Sequence, residues 1–490
     1  MPAPANLILF LSDNHNRQFL GSAGHPTVKT PALDSIARRG VRFENAWCAS
    51  PLCCPSRAAI ATGRYPHQSG YWDNALAYDG RLPTWHHRVR DAGYEMTAIG
   101  KLHFRSSDDD NGFCEEIDTM HILDGKGALS ALLRATQDGV PQRRAHRAIY
   151  EDSVVGEAEY QIYDRRIAAQ AIEWLRSKGT TGKPWALIVS FPSPHPPFKV
   201  PQRFWDMYPL EDVPMPVQWR REERPDHPAD AYIAWMNSLE DDFDEAFVRR
   251  VVAGYCGLIS HTDEQIGRVL HEIEALGLVD NTRIVYTSDH GEAAGHHGIL
   301  GKGNNYEHAL GVPLLVAGPD VPQDRVVSQC ASHVDLFPTI LEAVGARRTD
   351  EDNDLKGVSL WPAIQGDETA RPAFAEYHAN GSRNSGFALR KDNFKLIYHV
   401  GMRRQLFDLE SDPREERDLL ADGHDHSMAD TLESELRQML DPEAIDARSK
   451  ADQAAHMEKF GGVDAVRKEG MFSRSPIPGS AVELERADSP

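Results

Sequence analysis

A short run around residue 53 carries the side chains best suited to chemistry in this chain of 490 residues. Residues 53–57 read CCPSR. Pro55 suits the start of a helix and Gly63 its end, so Cys53 is predicted to lie at a helix N-terminus, where unpaired backbone N–H groups favour an anion. Arg57, one turn further on, adds a fixed positive charge. We therefore predict a Cys53 thiol with a lowered pKa and high reactivity.

Further polar side chains follow predicted strands or lie in turns. Lys101 and His103 come just after an apolar stretch and are two residues apart, so they share a face if the chain stays extended. His195 lies in a proline-rich turn that would hold it in one place, and Lys302 lies in a glycine-rich loop that can approach a ligand closely. Asn74, in a turn, can hydrogen-bond a substrate oxygen. Together the cationic groups can form a locally positive site for an anionic substrate.

Two pairs of potential metal ligands follow two other predicted strands. Asp13 and Asn14 follow one apolar strand, and Asp289 and His290 follow another. The carboxyl ends of parallel strands face the crevice in which α/β proteins bind ligands. Carboxylate and amide oxygens suit one hard divalent cation, for which calcium is the expected ion. The imidazole nitrogen makes manganese or zinc the alternatives.

Composition argues against several classes of protein. A formal net charge of −21 disfavours binding to nucleic acid, and no apolar run approaches the roughly 20 residues that a membrane helix needs. The N-terminus lacks a basic region and a cleavage site, so a cytoplasmic location is expected. Six cysteines in 490 residues do not make a disulfide framework.

The order of predicted elements indicates an α/β fold. Over residues 1–370 helices alternate with buried apolar strands, which predicts a large, mainly parallel sheet sandwiched by helices. Residues 371–445 predict a smaller antiparallel sheet with a helix near 427–440. Residues 105–160 are expected to be a long loop region that covers the site. Residues 446–490 are expected to be an extended tail and a possible arm for homo-oligomer formation.

The motifs occur in the order found in a known family. The run at Cys53, with Cys54 at the variable position, resembles the type I sulfatase signature C-x-P-S-R followed by T-G-R. The run that ends at His103 is similar to the family's G-K-x-H element, His195 lies in a P-H-x-P element, and residues 287–292 read TSDHGE. The chain is closest in look to bacterial choline sulfatases, cytosolic arylsulfatases and phosphonate monoester hydrolases of the alkaline phosphatase superfamily.

This resemblance implies an alkaline phosphatase-like fold and a formylglycine-dependent, metal-dependent hydrolase of small-molecule sulfuric esters. In that family a formylglycine-generating enzyme oxidises the first cysteine, and the hydrated aldehyde then attacks sulfur to give a covalent sulfo-enzyme intermediate. The implied metal set is Asp13, Asn14, Cys53, Asp289 and His290. The implied catalytic set is Cys53, Arg57, Lys101, His103, His195 and Lys302. The implied substrate contacts are Asn74, Lys101, His195 and Lys302.

Each catalytic side chain has an implied role in this scheme. Lys101 and Arg57 would hold the diol and the sulfuryl oxygens. His195 and Lys302 would stabilise or protonate the leaving oxygen. His103 would remove the proton of the second hydroxyl.

Three alternatives stay open. The first is a phosphonate monoester or phosphodiester hydrolase with the same machinery, although those enzymes lack the Lys-x-His of residues 101–103. The second is a phosphate transferase or mutase, which normally needs a Ser or Thr nucleophile and two metals. The third is an inactive metal-binding homologue. The alcohol half of the substrate is not predicted.

Overall fold

The computed structural model describes residues 5–134, 142–424, 426–469 and 474–480. Its strands are β1 (Asn6–Ser12), β2 (Gly40–Phe43), β3 (Ala46–Trp47), β4 (Glu95–Lys101), β5 (Glu115–Met120), β6 (Val154–Val155), β7 (Trp185–Ser190), β8 (Lys199–Val200), β9 (Thr282–Ser288), β10 (Leu314–Ala317), β11 (Arg325–Val327), β12 (Ala331–Ser332), β13 (Ala373–Tyr377), β14 (Gly386–Lys391), β15 (Phe394–His399) and β16 (Gln405–Asp408).

The α-helices are α1 (Pro31–Arg38), α2 (Cys53–Thr62), α3 (Pro66–Ser69), α4 (Trp85–Asp91), α5 (Arg144–Glu151), α6 (Glu159–Trp174), α7 (Gln202–Trp205), α8 (Pro228–Met236), α9 (Glu245–Ala275), α10 (Glu307–Leu310), α11 (Leu336–Val344), α12 (Trp361–Gln365), α13 (Ser427–Met439), α14 (Pro442–Glu458) and α15 (Val463–Glu469). None of the helices in the described ranges combines the length and the apolar character needed to cross a membrane.

The main sheet has eight strands in the order β11-β2-β10-β9-β1-β7-β4-β5. All neighbouring pairs are parallel except those of β10, which runs antiparallel to both β9 and β2. The central strand β1 is buried on both faces, as its unbroken apolar sequence predicts. The predicted large, mainly parallel sheet is confirmed.

Helices cover both faces of this sheet, and the alternation of side chains along β1 shows how. Leu7 and Leu9 point into a core shared with α2, α4 and α11. Ile8 and Phe10 point the other way, into a core shared with α1, α6 and α9. The predicted helix–sheet–helix sandwich of the alkaline phosphatase type is therefore confirmed.

A second, four-stranded antiparallel sheet follows in the order β13-β14-β15-β16. Phe387, Leu396 and Leu406 on this sheet share a core with Leu432 and Leu436 of α13. This agrees with the predicted small antiparallel sheet and helix. The sheet also contains β13, which the sequence analysis did not identify.

The C-terminal segment differs from its prediction as an extended tail, because it contains α14 and α15. Two helix-start signals are present: Pro442 is the first helical residue, and the Asp441 side chain accepts a hydrogen bond from the Ala444 backbone N–H at 3.0 Å. Apolar periodicity is weak because α14 is anchored by polar contacts. The buried Arg134 donates to Oδ1 of Asp446 at 2.6 Å. The prediction was therefore wrong for the described part of the tail.

The predicted loop region at 105–160 is also corrected in part. It contains α5 and β5, and β5 pairs in parallel with β4 at the edge of the main sheet. The sequence of β5 carries Glu115, Glu116 and Asp118, and such charged residues are common on edge strands but hide the apolar alternation that identifies a strand. Residues 135–141 of this prediction lie outside the described residues.

Candidate active site

The helix α2 places Cys53 at the carboxyl edge of the main sheet. Cys53 is the first residue of α2, with Pro55 in the first turn, and Gly63 ends the helix in the left-handed conformation with φ of 67°. The predicted helix is confirmed. Asn74, predicted to contact substrate, accepts a hydrogen bond from the Cys54 backbone N–H at 3.1 Å through its side-chain oxygen. It therefore satisfies one of the free N–H groups at the helix start.

The predicted metal ligands meet Cys53 at this point. Ligand atoms of Asp13, Cys53, Asp289 and His290 all lie within 4.8 Å of one another, and all four residues are buried. Sγ of Cys53 lies 3.3 Å from Nε2 of His290 and 4.0 Å from Oδ1 of Asp13. Nδ1 of His290 lies 3.0 Å from the carbonyl oxygen of Gly291. Because a carbonyl only accepts, we assign the proton to Nδ1, which leaves a lone pair on Nε2 toward the cluster.

Lysine side chains keep the Asp13 carboxylate ionised. Nζ of Lys101 lies 2.5 Å from Oδ2 of Asp13, and Nζ of Lys302 lies 3.9 Å from Oδ1 of Asp13 and 2.7 Å from Oδ1 of Asn14. Burial raises the pKa of Asp13, but Lys101 and Lys302 outweigh it and hold the pKa well below its usual range. Two carboxylates, an amide oxygen and an imidazole nitrogen with a free lone pair are a donor set that fits one divalent cation.

Arg57 contacts the two carboxylates of the cluster, and its contact with the diol and sulfuryl oxygens stays a prediction. Its Nε donates to Oδ2 of Asp289 at 2.8 Å, and a terminal nitrogen lies 3.3 Å from Oδ2 of Asp13. Its other terminal nitrogen donates to the Lys101 carbonyl at 2.6 Å and to Oγ of Ser190 at 3.0 Å. The guanidinium group is therefore engaged beneath the cavity, where it orients the two carboxylates of the cluster.

The thiol of Cys53 does not have the predicted lowered pKa. Burial and then the Asp13 carboxylate raise its pKa to about 11, and Lys302 and Lys101 oppose this rise only in part. The helix N-terminus and the lysines do not compensate because the side chain is only 2% exposed and two carboxylates lie beside it. A thiol at this position is protonated near neutral pH and is a poor nucleophile.

A cavity above the cluster joins the remaining predicted side chains, although they come from distant segments of the chain. Its lining includes Cys53, Asn74, Lys101, His103, His195 and Lys302. A larger cavity elsewhere, bordered by Arg17, His25 and Arg414, contains none of the predicted site residues. The site is therefore identified by its chemistry and not by its volume.

His103 is held in this cavity as a neutral base. Its backbone is left-handed, with φ of 53°, so the chain does not stay extended from Lys101 as assumed. Neither ring nitrogen has a hydrogen-bond partner within the part of the chain that the structure describes, and both are buried. Burial, then Lys101 and Arg57, hold its pKa well below the usual range. An unpartnered neutral imidazole in a cavity can accept a proton from a ligand.

His195 is also neutral but has a defined partner. Its Nδ1 lies 2.7 Å from the carbonyl oxygen of Pro196, so the proton is assigned to Nδ1. Burial, then the Lys302 ammonium group, hold the pKa of His195 well below its usual range. The ring therefore offers a lone pair at Nε2, and Lys302 is the better placed of the two to donate a proton.

One buried carboxylate was not assigned from the sequence. Oε2 of Glu292 accepts from Nδ2 of Asn14 at 2.6 Å and from the Tyr150 hydroxyl at 3.0 Å. Oε1 accepts from the backbone N–H of Gly301 at 2.6 Å and from that of Ala294 at 3.0 Å. Glu292 thus links the Asn14 amide to the loop that carries Lys302. Its place at the end of the TSDHGE run was the available signal.

Comparisons with known proteins agree with this arrangement. The chain matches the Sulfatase family model over residues 5–346, and the model for the C-terminal part of N-sulphoglucosamine sulphohydrolase over residues 295–441. It is similar to a choline-sulfatase of Rhizobium meliloti (strain 1021), with 30% identity over 417 residues that cover 84% of this chain and 81% of the relative. It is also similar to arylsulfatase K of Danio rerio, with 28% identity over 462 residues that cover 89% of this chain and 84% of that relative.

A solved structure gives the same fold. The phosphonate monoester hydrolase of Agrobacterium radiobacter superposes with a TM-score of 0.72 at 24% identity, covering 91% of this chain and 96% of that one. At this identity the likeness shows the architecture alone. The family model, in contrast, spans both strand ends that carry the predicted metal ligands as well as α2. The chain therefore belongs to the type I sulfatase family and is a sulfuric ester hydrolase.

Proposed function

We propose that the protein hydrolyses sulfuric esters through a formylglycine at position 53, assisted by one divalent cation. The observation that carries this proposal is the position of Cys53 in a cluster of ligands where burial raises the pKa of its thiol to about 11. A protonated thiol is a poor nucleophile there, whereas a hydrated aldehyde has two hydroxyl groups. Conversion takes two electrons from Cβ to an oxidant supplied with the formylglycine-generating enzyme, and a water oxygen replaces the sulfur, which leaves as sulfide.

We infer that the ion is held by Asp13, Asn14, Asp289, His290 and an oxygen of residue 53. Calcium is the expected ion, and the imidazole ligand keeps manganese and zinc as alternatives. When bound, the ion would withdraw charge from a sulfate oxygen and ease the loss of a hydroxyl proton from residue 53. Arg57 and Lys101 hold Asp13 on the ligand side, at 3.3 and 2.5 Å.

In the first step one hydroxyl of residue 53, after release of its proton to solvent, attacks sulfur in line. The bond between sulfur and the alcohol oxygen breaks, its electron pair stays on the alcohol, and a sulfate ester forms on residue 53. Lys302 gives a proton to the leaving alcohol and regains one from solvent. The lone pair at Nε2 of His195 accepts a hydrogen bond from the alcohol as it forms. Charge on the leaving oxygen is greatest in the transition state, which is where a nearby ammonium group helps most.

In the second step His103 accepts the proton of the other hydroxyl of residue 53. The bond between Cβ and the sulfate oxygen breaks, sulfate leaves with the electron pair, and the aldehyde forms again. Water then adds to the aldehyde to restore the diol. A serine in this position would lack the second hydroxyl and could not release sulfate by this route.

The test compares protein made with and without a formylglycine-generating enzyme. Mass spectrometry of the peptide that holds residue 53 should show an aldehyde only in the matured sample, and only that sample should turn over an aryl sulfate. Cys53→Ser should accept one sulfuryl group and stall, so that a sulfated peptide accumulates without turnover. An active preparation in which residue 53 is an unmodified thiol throughout would refute the nucleophile assignment.

Hydrolysis of phosphonate monoesters or phosphodiesters is the second candidate activity. The same cavity presents Lys101 and Lys302 to any tetrahedral anion, so slower turnover of these esters is expected alongside sulfatase activity. The ratio of kcat/KM for matched aryl sulfate and phenyl phosphonate monoesters measures the preference. A ratio in favour of the phosphonate would reverse the assignment. The cytoplasmic location and homo-oligomer formation stay predictions.

A further inference from the structure

A second cavity, separate from the candidate active site, has the size of a ligand-binding site. Its volume is about 510 Å³, and none of the residues that line it also lines the cavity above Cys53. Sites for small molecules in proteins generally measure roughly 300–1,000 Å³. The lining comes mainly from four segments far apart in the chain, within residues 17–26, 42–45, 214–216 and 409–414. Only the folded chain brings these segments together.

The lining of this second cavity is strongly positive. It includes four arginines, which are Arg17, Arg42, Arg390 and Arg414, and among the described lining residues Glu44 alone is acidic. The whole chain has the opposite balance, with 74 acidic residues against 53 basic ones. A concave surface lined by one sign of charge attracts a ligand of the other sign. The charge of the lining therefore favours an anion.

One of the four guanidinium groups is available to such an anion. Arg17 and Arg42 already pair with carboxylates, at 2.5 and 3.3 Å, and Arg390 donates to the side-chain oxygen of Asn45 at 2.8 Å. Arg414 is exposed, and its guanidinium group forms no hydrogen bond or ion pair with any residue in the part of the chain that the structure describes. Arg414 is therefore the cation with which a bound anion can pair.

Two histidines in the lining add neutral hydrogen-bond donors. Nδ1 of His25 accepts from the backbone N–H groups of Thr27 at 3.2 Å and Val28 at 2.9 Å, and Nδ1 of His296 accepts from that of Val217 at 3.3 Å. Burial holds the pKa of His25 at about 4 and that of His296 at about 3, so both rings are neutral. Because Nδ1 accepts in each ring, the proton lies on Nε2. Each ring thus has an N–H group that no described residue engages.

These donors are neighbours, and apolar side chains surround them. After burial, Arg414 and His25 are what lower the pKa of His296, which requires that they lie near it. The ring centroid of Phe19 lies 4.5 Å from that of His25. Met215 and five prolines form much of the remaining wall. Aromatic and proline surfaces of this kind pack well against a flat apolar group. The cavity therefore combines a place for an anion with a place for an apolar body.

We propose that this second cavity is a binding site for an organic anion, whose oxyanion group pairs with Arg414 and accepts from Nε2 of His25 or His296, and whose flat apolar body packs against Phe19. A guanidinium group holds a carboxylate or a sulfonate through two parallel hydrogen bonds. A cationic ligand is disfavoured because the arginines of the lining repel it. The site shares no residue with the catalytic cavity, so the proposal does not depend on the sulfatase function.

Calorimetric titration of the full chain with naphthalene probes tests the site without turnover. 2-Naphthoate carries a carboxylate and naphthalene-2-sulfonate a sulfonate, and neither contains an ester bond. 2-Naphthamide is the uncharged reference of similar shape. We expect one or both anions to bind roughly 10- to 100-fold more tightly than the amide, the range for hydrogen bonds to a charged group. The 2-naphthylmethylammonium cation should bind more weakly than the amide. The two anions distinguish a carboxylate ligand from a sulfonate ligand.

Substitution then locates the contact. Arg414→Gln should reduce the ratio of affinities between anion and amide by roughly 10-fold or more. Arg417→Gln is the matched control, because Arg417 lies three residues further along the same loop, is also exposed and does not line the cavity. Both substitutions remove one positive charge, so a long-range effect of net charge would appear in both. The ratio in Arg417→Gln should stay at the wild-type value.

Each contrary outcome removes a defined part of the proposal. Equal affinity for anions and amide, or tighter binding of the cation, would overturn the anionic ligand. A ratio that is unchanged in Arg414→Gln, or that falls equally in Arg417→Gln, would show that the anion binds elsewhere and overturn the site. Absence of binding by all four probes would overturn the proposal as a whole. None of these outcomes bears on sulfatase activity, which the comparison of matured and unmatured protein tests.

Discussion

Replacement of the buried carboxylate Glu292 by glutamine tests whether the network behind the predicted metal ligands holds the site together. Both carboxylate oxygens of Glu292 only accept, and each accepts from two donors: Asn14 and Tyr150 on one side, and the backbone N–H groups of Gly301 and Ala294 on the other. A glutamine must turn its NH₂ group toward one of these pairs. At least one buried donor then loses its acceptor, and the remaining hydrogen bonds lose their charge.

The expected loss in the free energy of unfolding follows from those contacts. An unsatisfied buried donor costs about 1–3 kcal/mol, and charge-assisted hydrogen bonds contribute about 1 kcal/mol more than neutral ones. We therefore expect Glu292→Gln to lower the free energy of unfolding by about 2–4 kcal/mol. In either orientation of the glutamine, the link between Asn14 and the loop that carries Lys302 loses one of its two sides, so affinity for the divalent ion should fall by roughly 10- to 100-fold.

Urea denaturation and calcium titration of purified protein measure the two effects. Tyr150→Phe is the matched control, because it removes one donor and leaves Asn14 in contact with the carboxylate. It should cost only about 0.5–1.5 kcal/mol. If Glu292→Gln were no less stable than Tyr150→Phe and bound calcium as tightly as wild type, the network would not be what positions Asn14.

Three further predictions concern the Cys53 thiol and two buried carboxylates outside the site. In unmatured protein Cys53, with its pKa raised to about 11 by burial, should be alkylated far more slowly at neutral pH than the exposed Cys114; equal rates measured by mass spectrometry would contradict the burial argument. Burial raises the pKa of Glu307, but Lys395 and a neighbouring arginine outweigh it and hold the pKa at about 2. The ionised Glu307 carboxylate therefore stabilises the folded protein above the unfolded pKa of about 4.3, and this stabilisation is lost as the pH falls toward 2. Glu307→Gln should therefore flatten the pH dependence of the unfolding free energy over that range, and an unchanged slope would show that this carboxylate does not contribute. Asp446→Ala should cost about 3 kcal/mol because it removes the carboxylate partner of a buried arginine, and it should speed amide hydrogen exchange along α14; unchanged exchange there would mean that other contacts dock the helix.

Patterns local in the chain predicted most of the architecture. Unbroken apolar strands and alternating helices indicate a buried parallel sheet wherever they occur, so the central strands and long helices agree with expectation. Elements without an apolar pattern were missed. The edge strand β5 carries Glu115 and Asp118, and α14 docks through Asp446, so neither shows the periodicity from which buried elements are predicted.

Within the site, too, some features could be predicted from local sequence patterns and others could not. Motif residues such as Asp13 and Asp289 could be grouped from sequence because each follows a strand end, and parallel strands bring their carboxyl ends to one edge. The side chains that contact these motif residues could not be identified from strand ends. Which oxygens Arg57 contacts depends on distances between residues far apart in the chain, as does the link from Glu292 to Asn14.

The sequence by itself determined which side chains are candidates for the site, the family to which the chain belongs and the class of fold, because these depend on residue types and on their order along the chain. The tertiary structure alone decided the protonation states of these side chains. The pKa of Cys53 rises because burial removes water from the thiol and two carboxylates lie beside it, and this outweighs the helix terminus and the lysines. Solvation and the sum of surrounding charges are properties of the folded molecule and cannot be predicted from neighbours in sequence.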